Sequence, residues 1–131
     1  MRKISCTSLI LFFLSLTGCK KPGYGGDAKI VGCVHVQKWN ATFTQYIGEY
    51  PGKDLYVYII YGSHAGFDKR IKTDYNGQFE FPYLYEGDYS IYVYSRDSSF
   101  TDPSGSIAVV KQINITEKNQ VFNADTFHIF E

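Results

Sequence analysis

From residue 28 to the end of the chain, apolar and polar residues alternate in short runs separated by turn-forming residues. A period of two is that of a β-strand whose two faces differ, and no segment of useful length repeats every 3.6 residues. Aromatic residues make up 18% of the chain, which supplies apolar area for a packed core and argues against disorder. The pattern predicts a loop over 40–54 and seven strands, at 29–38, 55–61, 69–74, 78–84, 89–95, 107–116 and 121–130. Strands at this spacing indicate an all-β sandwich or barrel.

Two of the connections have readable turn chemistry. Asn76-Gly77 stands between two alternating runs, and a glycine there supplies a positive φ without steric cost. Gly87 has the same place before the strand at 89–95. Asp74, Asn76 and Asp88 could suggest a calcium loop, but the spacing and the later glutamate of an EF-hand are missing. We therefore predict turns and no bound metal at these positions.

Four segments carry a family likeness. Residues 30–34 fit I-x-G-x-V, 55–59 form a V-x-V-type strand, 73–79 fit T-D-x-x-G-x-F, and 84–93 fit L-x-x-G-x-Y-x-I-x-V. Together they resemble the transthyretin-like, carboxypeptidase-regulatory-like domain found in many exported bacterial proteins. The resemblance covers 29–95 and implies a seven-stranded, antiparallel-type, two-sheet sandwich over 28–131. Because every matched residue is a core or turn residue, the resemblance implies architecture and little function.

The first residues read as a targeting segment. Arg2 and Lys3 precede a run of apolar and small residues, 4–16, which is too short to span a bilayer as a helix. The L-T-G-C sequence at 16–19 resembles the lipobox of bacterial lipoproteins. The resemblance implies a signal peptide over 1–18, fatty acylation of Cys19, and a flexible tether over 19–27. An ordinary signal peptide or an uncleaved anchor is the alternative.

The same resemblance gives an expected location. An aspartate directly after the cysteine would resemble an inner-membrane retention signal, but this position holds Lys20. The absence of that signal favours the outer membrane and leaves the leaflet open.

The chain carries 13 basic and 13 acidic side chains, so no overall charge is available to hold nucleic acid. The expected partners are membrane lipid through Cys19 and an envelope protein or glycan.

Residue types that could support catalysis are few and scattered. Cys33 has no partner for a disulfide, because Cys6 lies in the predicted signal peptide and Cys19 is the predicted acylation site. Its position in an apolar strand predicts a buried thiol rather than a nucleophile. His35, His64 and His128 do not form the H-x-H spacing of the iron-binding intradiol dioxygenases, whose scaffold is similar. We therefore predict no cofactor and no enzymatic activity.

The family pattern turns four tyrosines outward on two neighbouring strands, namely Tyr56, Tyr58, Tyr92 and Tyr94. Exposed aromatic patches mark sites that contact proteins or glycans, although cross-strand packing alone also favours tyrosine here. The glycine-flanked loop at 62–68 holds His64 and Asp68 and is a second candidate site, with a plain solvated loop as its alternative.

These observations favour a membrane-tethered, non-catalytic binding or scaffold module of the cell envelope. A structural accessory subunit of an outer-membrane assembly is the alternative. A metal-dependent enzyme is a third and weaker hypothesis, because it would need His, Asp and Tyr side chains to converge from distant loops.

Overall fold

The computed structural model describes residues 21–131, so the predicted signal peptide and Cys19 lie outside the described residues. The described chain is all-β, and no helix in it is long and apolar enough to cross a membrane. Its eight strands are β1 (Tyr24–Trp39), β2 (Tyr46–Pro51), β3 (Tyr56–Tyr61), β4 (Lys69–Lys72), β5 (Gln78–Leu84), β6 (Gly87–Arg96), β7 (Ser106–Ile115) and β8 (Val121–Phe130).

The strands form two four-stranded sheets that pack as an open sandwich. In the first sheet, the long strand β1 is antiparallel to β5 along its first part and to β2 along its last part, and β8 pairs with it in parallel. The second sheet has the order β4-β3-β6-β7, with every pair antiparallel. The predicted two-sheet, all-β sandwich is therefore confirmed, with a parallel β1–β8 pair that departs from the predicted antiparallel arrangement.

The prediction of seven strands is wrong, because β2 lies in the segment predicted as the loop 40–54. All residues of β2 are exposed except the half-buried Gly48, so the strand shows no apolar alternation. Gly48 and Pro51 are also residue types that usually interrupt a strand. The strand forms because the free edge of β1 offers backbone partners, with Val36 opposite Tyr50. The seven predicted strands are all present, and their ends differ by at most two residues except that β1 begins at Tyr24, five residues before the predicted start.

The core lies between the sheets and includes the side chains that face inward from β3 and β6. Val57, Ile59, Tyr89, Ile91 and Val93 are all at most 1% exposed. The first sheet contributes further apolar side chains, among them Ile30, Val34, Val36, Phe81 and Phe127. Because side chains alternate along a strand, the residues between the buried ones on β3 and β6 point to the outer face of the β4-β3-β6-β7 sheet.

The start of β1 is tied to this core by Tyr89. Its hydroxyl accepts a hydrogen bond from the backbone N–H of Gly23 at 2.8 Å and donates one to the carbonyl of Tyr85 at 2.6 Å. The tether predicted over 19–27 thus overlaps ordered structure, since β1 begins at Tyr24.

The two predicted turns are formed. Gly77 has a φ of 75°, and the Asp74 carboxylate accepts hydrogen bonds from the backbone N–H groups of Asn76 and Gln78. Gly87 opens β6 with a φ of 138°. These bonds account for Asp74 and Asn76 as turn residues.

The loop between β6 and β7 is organised around one buried carboxylate. Asp97 accepts hydrogen bonds from the backbone N–H groups of Ser99, Thr101 and Asp102 and from the Ser99 hydroxyl. The hydroxyl of Ser99 and these backbone donors hold the pKa of Asp97 well below its usual range.

We expect this carboxylate to make stability fall in acid. A carboxyl whose pKa is depressed by folding stabilises the fold above its unfolded pKa, about 3.9, and that contribution is lost as the pH drops toward the folded pKa. Between about pH 5 and about pH 2.5, the urea midpoint of the wild type should therefore fall more than that of Asp97→Asn. Glu117→Gln is the matched control, since Glu117 is exposed. Parallel pH dependences for the wild type and Asp97→Asn would contradict this role.

Candidate functional site

The four predicted tyrosines lie together on the outer face of the β4-β3-β6-β7 sheet. Tyr56 and Tyr58 are on β3, Tyr92 and Tyr94 are on β6, and the register places Tyr58 directly opposite Tyr92. Phe67, from the connection between β3 and β4, packs on the same group with its ring centroid 5.0 Å from that of Tyr58. We call these five residues the tyrosine surface.

Tyr58 is the centre of the tyrosine surface. Its ring is stacked on that of Tyr92, with centroids 4.9 Å apart and an interplanar angle of 7°. Its contact with Tyr94 is edge-to-face, at 5.5 Å, and Tyr56 is tilted against it at 6.3 Å. Such pairs contribute about 0.5–1.5 kcal/mol each beyond the area that they bury, so the rings hold one another in place.

The tyrosine surface is nonetheless open to solvent. Tyr94 is 52% exposed, Phe67 48% and Tyr56 40%, whereas Tyr58 and Tyr92 are half-buried. Burial raises the pKa of Tyr92, and the neighbouring phenols of Tyr94 and Tyr58 raise it further. A hydrogen bond with the Tyr94 side chain raises the pKa of Tyr92 in the same direction, so the Tyr92 phenol is engaged within the tyrosine surface.

Two cations of β4 adjoin the tyrosine surface. The Arg70 guanidinium lies 4.2 Å from the centroid of the Tyr56 ring, and the Lys72 ammonium lies 5.1 Å from it. The register explains this placement, since Arg70 is paired with Tyr58 and Lys72 with Tyr56. Cation–π contacts of this kind orient the charged groups along one flank of the rings.

The loop at 62–68 brings its two predicted residues into contact. The Nδ1 atom of His64 lies 2.9 Å from Oδ1 of Asp68, and the other carboxylate oxygen accepts a hydrogen bond from the backbone N–H of Tyr61. The pair closes the loop that carries Phe67. This accounts for Asp68 structurally, while a ligand-binding role for His64 and Asp68 stays a prediction.

Cys33 is half-buried rather than fully buried. Its Sγ atom is 3.1 Å from the hydroxyl oxygen of Thr126, and it lines an open groove of about 700 Å³ together with Asp74, Gln78 and Glu80. His35 points instead toward Glu49, at 3.3 Å, and toward the ring of His128. Within residues 21–131, no three His, Cys, Asp or Glu side chains are grouped so as to hold a metal ion.

Sequence reasoning found the tyrosines and missed three neighbours of the surface, Phe67, Arg70 and Lys72. Phe67 lies in a connection, where alternation gives no direction. Arg70 and Lys72 did carry a signal, since they alternate along β4 as Tyr56 and Tyr58 do along β3. Antiparallel pairing of the two strands would have placed all four on one face.

Comparisons with known proteins give only distant structural similarity. No protein-family model and no curated protein sequence matches the chain. A solved structure from Pseudomonas aeruginosa, for which carbohydrate binding has been suggested, is 13% identical with a TM-score of 0.48, over 83% of this chain and 91% of that one. An (S)-allantoin synthase is 13% identical with a TM-score of 0.43, over 82% of this chain and 43% of that one. A 9R-lipoxygenase from Cyanothece is 16% identical with a TM-score of 0.34, over 77% of this chain and 16% of that one. Similarity at this level transfers no activity and no ligand.

Proposed function

We propose that the protein is a non-catalytic binding module of the cell envelope, tethered to a membrane through Cys19, with the tyrosine surface as its contact site. The observation that carries the proposal is the clustering of five aromatic rings on the outer face of one sheet, away from the core. Clusters of exposed aromatic side chains mark contact sites, and tyrosine is enriched among the residues that dominate binding energy.

The arrangement suits recognition because the rings are already ordered. Tyr58 is held by Tyr92 on one side and by Tyr94 and Phe67 at its edges. A ligand that binds here would not have to immobilise these side chains, which otherwise costs about 0.5–1.5 kcal/mol for each one. The inter-strand hydrogen bonds of β3 and β6 fix the backbone beneath the rings.

The lipid tether defines where this surface would act. β1 begins five residues after Cys19, so the sandwich would stand close to the bilayer. Lipidation of Cys19 would make that attachment lasting, since two or three acyl chains hold a protein that one chain holds only marginally.

We expect the double substitution Tyr58→Ala and Tyr92→Ala to weaken binding to envelope partners strongly. Loss of two central aromatic contacts should raise Kd about 30-fold or more. The measurement is binding of the purified protein to arrays of glycans and to envelope proteins captured by cross-linking from intact cells. Tyr94→Ala removes only an exposed ring, so its effect on Kd can be measured even if the double variant is unstable.

The control is the double substitution Tyr46→Ala and Tyr50→Ala. These two tyrosines are exposed as well, but they lie on β2, in the other sheet. Equal loss of binding in the control pair, or full binding by the Tyr58/Tyr92 variant, would refute the proposed contact site. Stoichiometric iron or zinc in the purified protein would instead favour an enzyme.

A further inference from the structure

The flank of the tyrosine surface is positively charged although the chain as a whole is balanced. Three of the 13 basic residues fall within four positions of β4, as Lys69, Arg70 and Lys72. Arg70 and Lys72 lie on the same face of the strand. They are two residues apart, and a strand rises about 3.4 Å per residue, so their Cα atoms are about 7 Å apart. Both are exposed.

Neither cation is neutralised by the fold. Within the part of the chain that the structure describes, Arg70 and Lys72 form no ion pair with a carboxylate, and their contacts are with the Tyr56 ring. The two acids closest in sequence are already bonded: Asp68 to His64 and to the backbone of Tyr61, and Asp74 to the backbone N–H groups of its own turn. The donors of the guanidinium and the ammonium therefore remain available to an anionic ligand.

The kind of ligand follows from what the surface offers. Strands β3 and β6 each pair on both sides, so their backbone groups are used within the sheet. An extended peptide draws its affinity from main-chain hydrogen bonds to a free strand edge. In this sheet the edge strands are β4 and β7, so a peptide paired there would lie beside the rings of β3 and β6 and not across them. Phenol hydroxyls, ring surfaces and two fixed cations instead complement a chain of hydroxyl groups and regularly placed acids.

We propose that the tyrosine surface binds an acidic polysaccharide, with the phenol rings and hydroxyls contacting the sugar units and Arg70 and Lys72 contacting their carboxylate or sulfate groups. This inference rests on the proposed function and adds the ligand class. An acidic peptide and a neutral glycan are the two occupants against which it is tested.

The test measures binding of the purified protein to five immobilised polymers: polygalacturonate, alginate, heparin, neutral dextran and polyglutamate. We expect binding to at least one acidic polysaccharide and at least tenfold weaker binding to dextran and polyglutamate. Raising the salt from about 0.05 M to about 0.5 M should weaken binding, because the exposed charges become screened. The double substitution Arg70→Gln and Lys72→Gln should raise Kd about tenfold or more and flatten this salt dependence.

The charge-matched control is Lys53→Gln with Lys118→Gln, which removes two exposed lysines elsewhere and should leave Kd within about twofold. No binding to any of the three acidic polysaccharides, or equal binding to polyglutamate or dextran, would overturn the inference. Binding that depends on Tyr58 and Tyr92 but is unchanged in the Arg70/Lys72 variant would overturn the inference and leave the proposed function standing. Binding that is unchanged in both variants would overturn both.

Discussion

Replacing Phe127 by alanine is expected to lower the free energy of unfolding by about 3–5 kcal/mol, the usual cost of deleting a buried aromatic ring. Phe127 is fully buried on β8, with its ring centroid 5.8 Å from that of Phe79. The Lys111 ammonium lies 4.9 Å from the Phe127 ring and donates hydrogen bonds to the carbonyls of Ala124 and Thr126. The ring thus contacts β5 in its own sheet and β7 in the other sheet, and its loss leaves a cavity between the two sheets.

Urea denaturation followed by circular dichroism measures this cost directly. A small domain has a total stability of about 5–15 kcal/mol, so the alanine variant should be marginal at best. Phe127→Leu, which keeps most of the volume, should cost less and remains measurable if the alanine variant does not fold. Phe100→Ala is the control, because Phe100 is 66% exposed. A loss below about 1 kcal/mol for Phe127→Ala would contradict the packing described for β8.

Replacing Cys19 by alanine is expected to abolish acylation completely. The thiol of Cys19 is the proposed attachment point for lipid, so the variant has no sulfur to modify at that position. Cells fed an alkyne-labelled fatty acid should label the wild type and leave Cys19→Ala unlabelled. The variant should also keep its first 18 residues, if cleavage before residue 19 requires the cysteine as the lipoprotein resemblance implies.

Cys33→Ala is the matched control for this experiment. Cys33 lies in β1 with its thiol beside the Thr126 hydroxyl, and its loss should change neither the label nor the length of the product. Label that persists in Cys19→Ala, or a wild type that carries none, would refute the lipid tether and leave the tyrosine surface to be tested on its own.

Alternation alone was sufficient for the strands that have one buried face. Buried residues alternate with outward residues on β3 (Val57, Ile59) and on β6 (Tyr89, Ile91, Val93). Because one face of each strand is buried, the sequence shows a period of two. The turn at Asn76-Gly77 was readable because a positive φ favours glycine. These are local signals, and each can be read without knowing the rest of the fold.

The parts that sequence could not provide depend on tertiary pairing. Strand β2 has no buried face, and it forms because the edge of β1 is free over His35 to Trp39. The parallel pairing of β8 with β1 joins residues about 90 positions apart, as in His35 with His128. Neither pairing has a local signature, since the same alternation serves parallel and antiparallel neighbours.

The candidate site divides in the same way. The outward direction of Tyr56, Tyr58, Tyr92 and Tyr94 followed from the family pattern, which also made their strands neighbours. The stacking of Tyr58 on Tyr92 depends on the exact register, which alternation does not give. Phe67 reaches the surface from a loop that the His64–Asp68 contact closes, and neither contact has a signature in the sequence.

The central claim is that the tyrosine surface is the contact site, and ring resonances of the 12 tyrosines test it most directly. The protein, labelled with ¹³C in its tyrosine rings, would be titrated with the polymer that it binds most tightly on the array. We predict that the resonances of Tyr56, Tyr58, Tyr92 and Tyr94 shift while those of Tyr46 and Tyr50, on the opposite sheet, stay fixed. Shifts confined to Tyr46 and Tyr50, or binding that moves none of the four, would contradict the claim.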